Sequence, residues 1–250
     1  MKKFIIIPTY NEKENIGRLI KEIFDLNISD LNIIVVDDNS PDGTGEIVNG
    51  LVKKYNNAGA YCNTPKKNVP IQAIHRKEKS GLGSAYVAGF KKALANKADL
   101  IFEMDADFSH DPKDIPRFID EINRGYDIVI GSRRIEGGSV KGWSFRRDFQ
   151  SKCAMAFARL MLGLKTRDIT AGFRCFRAKV LESIDLDKIT SSGYAFQEEL
   201  IYFCEKKKFH IKEIPVTFID RQHGKSKLGI NDIIEFFAAI FRLKFKNEDE

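Results

Sequence analysis

The sequence predicts an α/β fold: an open, mostly parallel sheet with helices on both faces. Three observations carry this. Short apolar runs recur at residues 4–8, 31–37, 69–75, 100–104 and 127–130, and they show no in–out alternation, as expected of strands covered on both faces. Between them lie longer stretches with apolar residues three and four apart, the spacing of helices packed on a core. Several of the apolar runs also end abruptly in polar, turn-forming residues, which suits chain reversals at a sheet edge.

The first strand ends at Pro8, and the helix after it carries Ile16, Leu19, Ile20, Ile23 and Phe24 on one side. The second strand runs into Asp38-Asn-Ser-Pro-Asp-Gly-Thr44, where Thr44 caps a helix to about Tyr55. Residues 56–68 have no apolar period and read as a surface loop. Gly81-Leu-Gly83 follows the third strand; it resembles the opening of a dinucleotide fingerprint, but Tyr86 stands where the third glycine belongs. A turn into a helix over 84–96 is the better reading. Asp111-Pro112 opens the next helix, with proline in its first turn.

Beyond the fifth strand the character changes. Residues 131–144 are glycine-rich, basic and unpatterned, and read as a mobile loop carrying the single Trp, Trp143. A helix follows with Phe149, Cys153, Phe157, Leu160 and Met161 along one side. Residues 169–176 suggest a strand broken by glycine, 196–207 a helix, and 209–219 a strand pair or a strand bent at Pro215. The last helix, 231–246, sets Phe236, Phe237, Ile240, Phe241 and Phe245 beside Arg242, Lys244 and Lys246. Two readings of it stand: an interfacial helix on an anionic membrane, or a helix packed on its own domain.

With 250 residues and 43% hydrophobic content, the chain can bury a sizeable core. The four cysteines are widely spaced and read as reduced residues of a cytosolic protein. No run reaches the roughly 18 apolar residues of a membrane span. The net charge of +6 is concentrated: between Arg133 and Arg167 stand nine basic residues against two acidic ones, a local +7. That calls for an anionic partner, whether phosphate, phospholipid or nucleic acid.

The strand at 100–104 runs into Asp105-Ala-Asp107. In open α/β sheets ligands gather beyond the carboxyl ends of strands, so this pair is placed to hold a hard cation and a phosphate. An isolated Asp-x-Asp is more often a solvated acidic turn. The histidines have no metal-ligand spacing, although His110 lies close enough to the pair to support it.

Six separated motifs then coincide: Ile7-Pro-Thr-Tyr-Asn-Glu12, Val35-Val-Asp-Asp-Asn-Ser-Pro-Asp-Gly-Thr44, Gly81-Leu-Gly83, Met104-Asp-Ala-Asp107, Gly131-Ser-Arg133 and Asp220-Arg-Gln-His-Gly-Lys-Ser-Lys-Leu228. In this order they resemble the family 2 glycosyltransferases of GT-A fold. Trp143, Arg146-Arg147 and the 221–227 segment make the resemblance narrower, to dolichol-phosphate (polyprenol-phosphate) mannose synthases of the type without transmembrane helices. It implies a catalytic domain over 1–228, with a nucleotide-sugar and metal half at 1–131, an acceptor half and closing loop at 132–228, and an amphipathic helix and tail at 229–250.

The resemblance also implies roles. Pro8, Tyr10, Glu12, Val36, Asp38 and the Ala106 backbone hold the nucleotide. Asp105 and Asp107 bind Mg2+ or Mn2+. Arg133, Arg147 and Ser151 receive the acceptor phosphate, and Arg221 and Lys227 close over the donor phosphates. Some relatives place a Gln two residues past the second aspartate; Ser109 stands there here. The implied reaction moves mannose from GDP-mannose to a polyprenyl (dolichyl) phosphate, with UDP-glucose as an alternative donor. It implies a peripheral protein at the cytoplasmic face of a membrane, with or without a membrane-anchoring subunit. A phosphate acceptor arrives ionised and needs no general base, so Glu198 is expected to be structural. A basic nucleic-acid-binding module remains a remote alternative, and no nucleic-acid partner is expected.

Overall fold

The computed structural model describes residues 1–56, 70–189, 191, 193, 195–220 and 230–245. In chain order the elements are β1 (Lys3–Thr9), α1 (Ile16–Asp25), β2 (Leu31–Asp37), α2 (Thr44–Asn56), β3 (Ile71–His75), α3 (Leu82–Ala95) and β4 (Leu100–Glu103). They continue with α4 (Ile115–Asn123), β5 (Ile128–Ser132), β6 (Ser139–Lys141), α5 (Phe145–Leu162), β7 (Arg174–Arg177) and α6 (Ala178–Glu182). The last are α7 (Phe196–Lys206), β8 (Ile211–Pro215), β9 (Thr217–Ile219) and α8 (Ile230–Phe245).

Seven strands form one sheet in the order β3-β2-β1-β4-β7-β5-β8. All pairings are parallel except those of β7, which runs antiparallel between β4 and β5. The order reverses at β1: the chain builds outward through β2 and β3, then returns to place β4 on the other side. That reversal opens a crevice at the carboxyl ends of β1 and β4, where α/β folds collect ligands.

Side-chain alternation along β1 divides the core in two. Phe4 and Ile6 face one layer with α3, α5 and α7, while Ile5 and Ile7 face the other with α1 and α4. β1 runs through Pro8 to Thr9, one residue further than expected. Met104 donates its amide to the Ile6 carbonyl, so positions 6 and 8 both face β4. Because β4 pairs only as far as Glu103, the amide that Pro8 lacks has no ladder partner to lose.

Two expectations need correction. Residues 131–144 are not a mobile loop: β6 pairs in parallel with β9, and Ser139 meets Thr217 side chain to side chain at 3.0 Å. The partner strand lies 78 residues downstream, beyond any local pattern. The expected apolar side of α5 is also not its core side. Met155, Ala158 and Leu162 are buried, whereas Phe149 and Leu160 are exposed. The small Ala158 lets α5 lie close on the sheet layer, and its larger rings turn outward or toward α8, where Phe157 meets Phe237 and Phe241. α8 buries Ala239, Ile240 and Leu243 and leaves Ile234, Phe241 and Phe245 exposed. Of its two sequence readings, the helix thus packs on its own domain while keeping an outward apolar side.

Candidate active site

At the carboxyl ends of β1, β2 and β4 lies a cleft of about 230 Å3, lined by Pro8, Tyr10, Glu12, Asp38, Asp105, Ala106 and Asp107 among others. Seven of the residues expected at a donor site therefore meet in one place. Val36 does not line it, being a fully buried strand residue. Arg221 and Lys227 lie outside the described residues.

The two aspartates that end β2 divide their work. Asp37 is spent on structure, accepting from the Thr9 hydroxyl at 3.0 Å and the Ser40 amide at 3.1 Å. Asp38 faces the cleft, paired with the Arg76 guanidinium and 3.3 Å from the Ser80 amide. Arg76 also donates to Ser84 at 2.7 Å and to the Gly81 carbonyl at 3.1 Å, pinning the turn that opens α3. Gly81 has φ of +94°, a conformation that favours glycine. A Cβ on Gly83 would stand 2.6 Å from the Ser191 carbonyl. The glycine pair is thus a turn with a close approach, as the sequence suggested.

The acidic pair is held from behind. The Tyr86 hydroxyl donates to Asp105 Oδ1 at 3.1 Å, and His110 Nε2 lies 3.4 Å from Oδ2. A Cβ on Gly172 would come within 3.1 Å of the same carboxylate, so the chain just before β7 passes close behind it. Burial, and then the Asp105 charge, push the Tyr86 phenol well above its usual range, so it stays a donor. Asp107 accepts the Ser109 amide at 3.0 Å. The Ser109 hydroxyl is buried without a hydrogen-bond partner. No cluster of three or more His, Cys, Asp or Glu able to hold a metal occurs among the described residues. Two carboxylates with room for substrate oxygens suit a hard divalent ion such as Mg2+.

Tyr86 was absent from the sequence-based site because its position, three residues past Gly83, read as a broken fingerprint. Groups that orient a metal ligand are typically worth 10- to 100-fold in affinity or activity. Tyr86→Phe is accordingly expected to lower kcat/KM by roughly tenfold while the fold, measured by thermal melting, moves little.

Arg133, Arg134 and Arg147 surround Trp143, with guanidinium carbons 5.8, 5.9 and 4.2 Å from the ring centroid. Each also has an acidic partner. Arg133 donates from Nε and Nη2 to Asp168 at 2.8 and 2.7 Å, with Thr170 at 2.6 Å. Arg134 pairs with Asp148 and reaches the Ser151 hydroxyl at 3.2 Å, and Arg147 meets Asp220 at 2.8 Å. Of the three expected acceptor residues, Arg147 is the one most open to a ligand, since Arg133 is nearly fully buried and Ser151 already accepts from Arg134. Burial alone would push the Asp168 carboxyl up, but the Arg133 guanidinium holds it below the ordinary carboxylate range. Asp168 had no role in the sequence reading, where Arg134 entered only as part of the basic segment and Asp220 only as the start of a motif, because no local signal joins Arg133 to Asp168 or Arg147 to Asp220, 35 and 73 residues apart.

A chain of rings joins the two places. His110 lies 5.6 Å from Phe218, and Phe218 lies 5.6 Å from Trp143. Behind them, Arg174 is fully buried, with Nε 3.9 Å from the equally buried Glu103. Glu198 is also buried and does not line the cleft. Burial pushes the Glu103 carboxyl up to about 7 and that of Glu198 up to about 8.

Known proteins of this shape and sequence can be set beside this geometry. The glycosyl transferase family 2 model matches residues 4–185. Polyprenol monophosphomannose synthase of Mycolicibacterium smegmatis is 40% identical over 97% of this chain and 85% of its own length. Undecaprenyl-phosphate mannosyltransferase of Micrococcus luteus is 40% identical over 92% of this chain and 88% of its own. Among solved structures, glucosyl-3-phosphoglycerate synthase from Mycobacterium tuberculosis, in complex with Mn2+, uridine-diphosphate-glucose and phosphoglyceric acid, superposes with a TM-score of 0.68 at 16% identity, covering 99% of this chain and 81% of that one. The same enzyme in complex with Mg2+ and uridine-diphosphate gives a TM-score of 0.65 at 16% identity, with the same coverage. At such identity these structures speak to the fold, which is GT-A. With an acidic pair at the mouth of a doubly covered parallel sheet and a family match over most of its length, the chain is a glycosyltransferase of family 2.

Proposed function

We propose that this enzyme transfers mannose from GDP-mannose to a polyprenyl (dolichyl) phosphate, with residues 1–228 as its catalytic domain. The observation that carries the proposal is the pairing of two oppositely charged places through one chain of rings. An acidic cleft suits a cation and a diphosphate, and an arginine cluster on Trp143 suits a phosphate acceptor. The 40% identity to two polyprenyl-phosphate mannosyltransferases supports the same reading.

Pro8, Tyr10, Glu12 and Asp38 hold the nucleoside, and Asp105 and Asp107 hold a divalent ion. That ion, when bound, neutralises charge developing on the leaving diphosphate. Tyr86 and His110 keep Asp105 aimed at it. Arg147, with Arg133 and Ser151 behind it, places the acceptor phosphate, and arginine's forked donors suit phosphate oxygens. Arg221 and Lys227 add positive charge over the donor.

A phosphate oxygen then attacks the anomeric carbon as the bond to the diphosphate breaks, inverting the centre. The phosphomonoester loses its second proton at a pKa of about 6, so no side chain has to take a proton. No helix among the described residues is long and apolar enough to cross a membrane. We place the enzyme peripherally at the cytoplasmic face of the membrane that carries its lipid acceptor, with or without an anchoring subunit, a reading supported by its likeness to the two polyprenyl-phosphate mannosyltransferases.

Turnover of GDP-mannose and UDP-glucose with a polyprenyl phosphate tests this directly. Transfer from UDP-glucose alone would overturn the mannose assignment. Glu198→Gln tests the missing base: activity is expected to stay within about twofold at neutral pH, whereas a hydroxyl acceptor with Glu198 as base would lose it. The same variant changes stability in a defined window. A carboxyl raised in the folded state to about 8 stabilises fully below its unfolded value near 4.5, and that contribution is lost as pH rises toward 8. Wild-type melting temperature is therefore expected to fall across this window, and Glu198→Gln to flatten the fall by about 5 °C.

A further inference from the structure

α8 begins at Ile230, past the span proposed for catalysis, yet two of its side chains hold the wall of the donor cleft. Gly193 lines that cleft together with Gly81, Leu82, Asp105 and Ala106, and its amide donates to Glu235 Oε1 at 3.2 Å. Arg242 Nη2 donates to the Ser191 hydroxyl at 3.0 Å and lies 3.4 Å from Glu199 Oε2. Glu199, buried on α7, accepts the Ser191 amide at 3.0 Å on that same oxygen. Ser191 is thus held by both its amide and its hydroxyl, and Gly193 by its amide. Every one of these bonds has a charged partner, and such bonds are about twice as strong as neutral ones.

The helix is patterned for this task. Glu235, Ala239 and Arg242 stand four and three residues apart, on one side of α8, and Ala239 between them is buried. Arg242 therefore serves the interior of the domain, although the sequence sets it beside Lys244. What it holds reaches both halves of the cleft. The Ser191 carbonyl bears on Gly83, where no Cβ would fit, and Gly83 belongs to the turn that Arg76 ties to Asp38. On the other flank Phe196 stacks on Tyr86 at 6.0 Å, and Tyr86 donates to Asp105.

We propose that Glu235 and Arg242 are positioning residues of the donor site, which fix Gly193 and Ser191 as the wall that the nucleoside diphosphate meets. The inference rests on the donor reading of this cleft, and it extends the working unit past residue 228. Neither side chain lines the cleft, so each acts through the backbone or hydroxyl it holds. Losing either one weakens donor binding and leaves the chemical step alone.

GDP and UDP are each titrated with Mg2+ into the full-length protein by calorimetry. Donor KM, acceptor KM and kcat are measured with GDP-mannose and a short-chain polyprenyl phosphate in detergent. Glu235→Ala and Arg242→Ala are each expected to weaken binding of the preferred diphosphate about tenfold and to raise donor KM to match. Acceptor KM and kcat should stay within about twofold, the signature of binding lost without chemistry lost. Glu235→Gln, whose amide oxygen can accept the same bond from Gly193, should remain within about threefold of wild type. Lys244→Gln removes a charge elsewhere on α8 and should change nothing. Three results would overturn the inference and leave the donor site standing: wild-type diphosphate affinity in both alanine variants, a loss in Glu235→Gln as large as in Glu235→Ala, or an equal loss in Lys244→Gln. If wild type binds neither diphosphate, the donor reading itself fails, and this inference fails with it.

Discussion

Asp107→Asn is expected to lower kcat/KM by roughly 10³-fold, the equivalent of about 4 kcal/mol in transition-state stabilisation. The fold should move little, because the bond that the Asp107 Oδ1 accepts from the Ser109 amide can also be accepted by an asparagine oxygen. What is lost is one negative charge where the divalent ion is proposed to sit. The loss should therefore concentrate in the metal-dependent part of donor binding. Titrating the nucleoside diphosphate with and without Mg2+ separates the two: the variant should show little gain from the ion, while wild type shows a large one. Equal Mg2+ dependence in both proteins would remove Asp107 from the metal site.

Asp168→Ala should be the most destabilising single change near the site. Asp168 is fully buried and accepts three bonds from Arg133, one from its amide and two from its guanidinium. Truncation leaves the Arg133 charge in the interior without its carboxylate, with the Thr170 hydroxyl as its remaining hydrogen-bond partner among those seen here, and breaking such a pair typically costs about 3–5 kcal/mol. In a chain of this size that lowers the melting temperature by ~10 °C. Arg133→Met/Asp168→Leu, which removes both charges, should recover much of the lost stability, since buried pairs often exchange for apolar ones at little cost. It should not recover transfer, because Arg133 also helps build the cationic wall on Trp143. Recovery of both would make the pair purely structural. Acid works on the same bridge in wild type: Asp168 is held below its ordinary value, so its contribution is present above pH 4 and is lost as pH falls below that.

Much of the proposed donor side was legible because it is local. Pro8 to Glu12, Asp38 and Asp105 to Asp107 each sit at the end of an apolar run, and a parallel sheet brings such ends to one edge. The acceptor side was legible only as charge. The excess of basic residues between 133 and 167 was plain, but not which cations pair inward. Arg133 is bound to Asp168, Arg134 to Asp148 and Arg147 to Asp220. The strand suggested at 169–176 is present as β7, but its direction was not legible for a related reason: a four-residue strand whose partners lie on both sides has no period long enough to reveal it.

By itself the sequence determined the layered α/β class, the acidic pair and the concentration of positive charge, since each follows from residues that are neighbours along the chain. Tertiary structure alone decided that β7 runs antiparallel and brings Gly172 against Asp105. It also decided that the Tyr86 hydroxyl bonds that carboxylate with His110 beside it, and that much of the apolar side of α5 faces outward. The physical reason is that periodicity records whether a side chain leaves water, not which distant group it meets. Those meetings are set by sheet order and close packing.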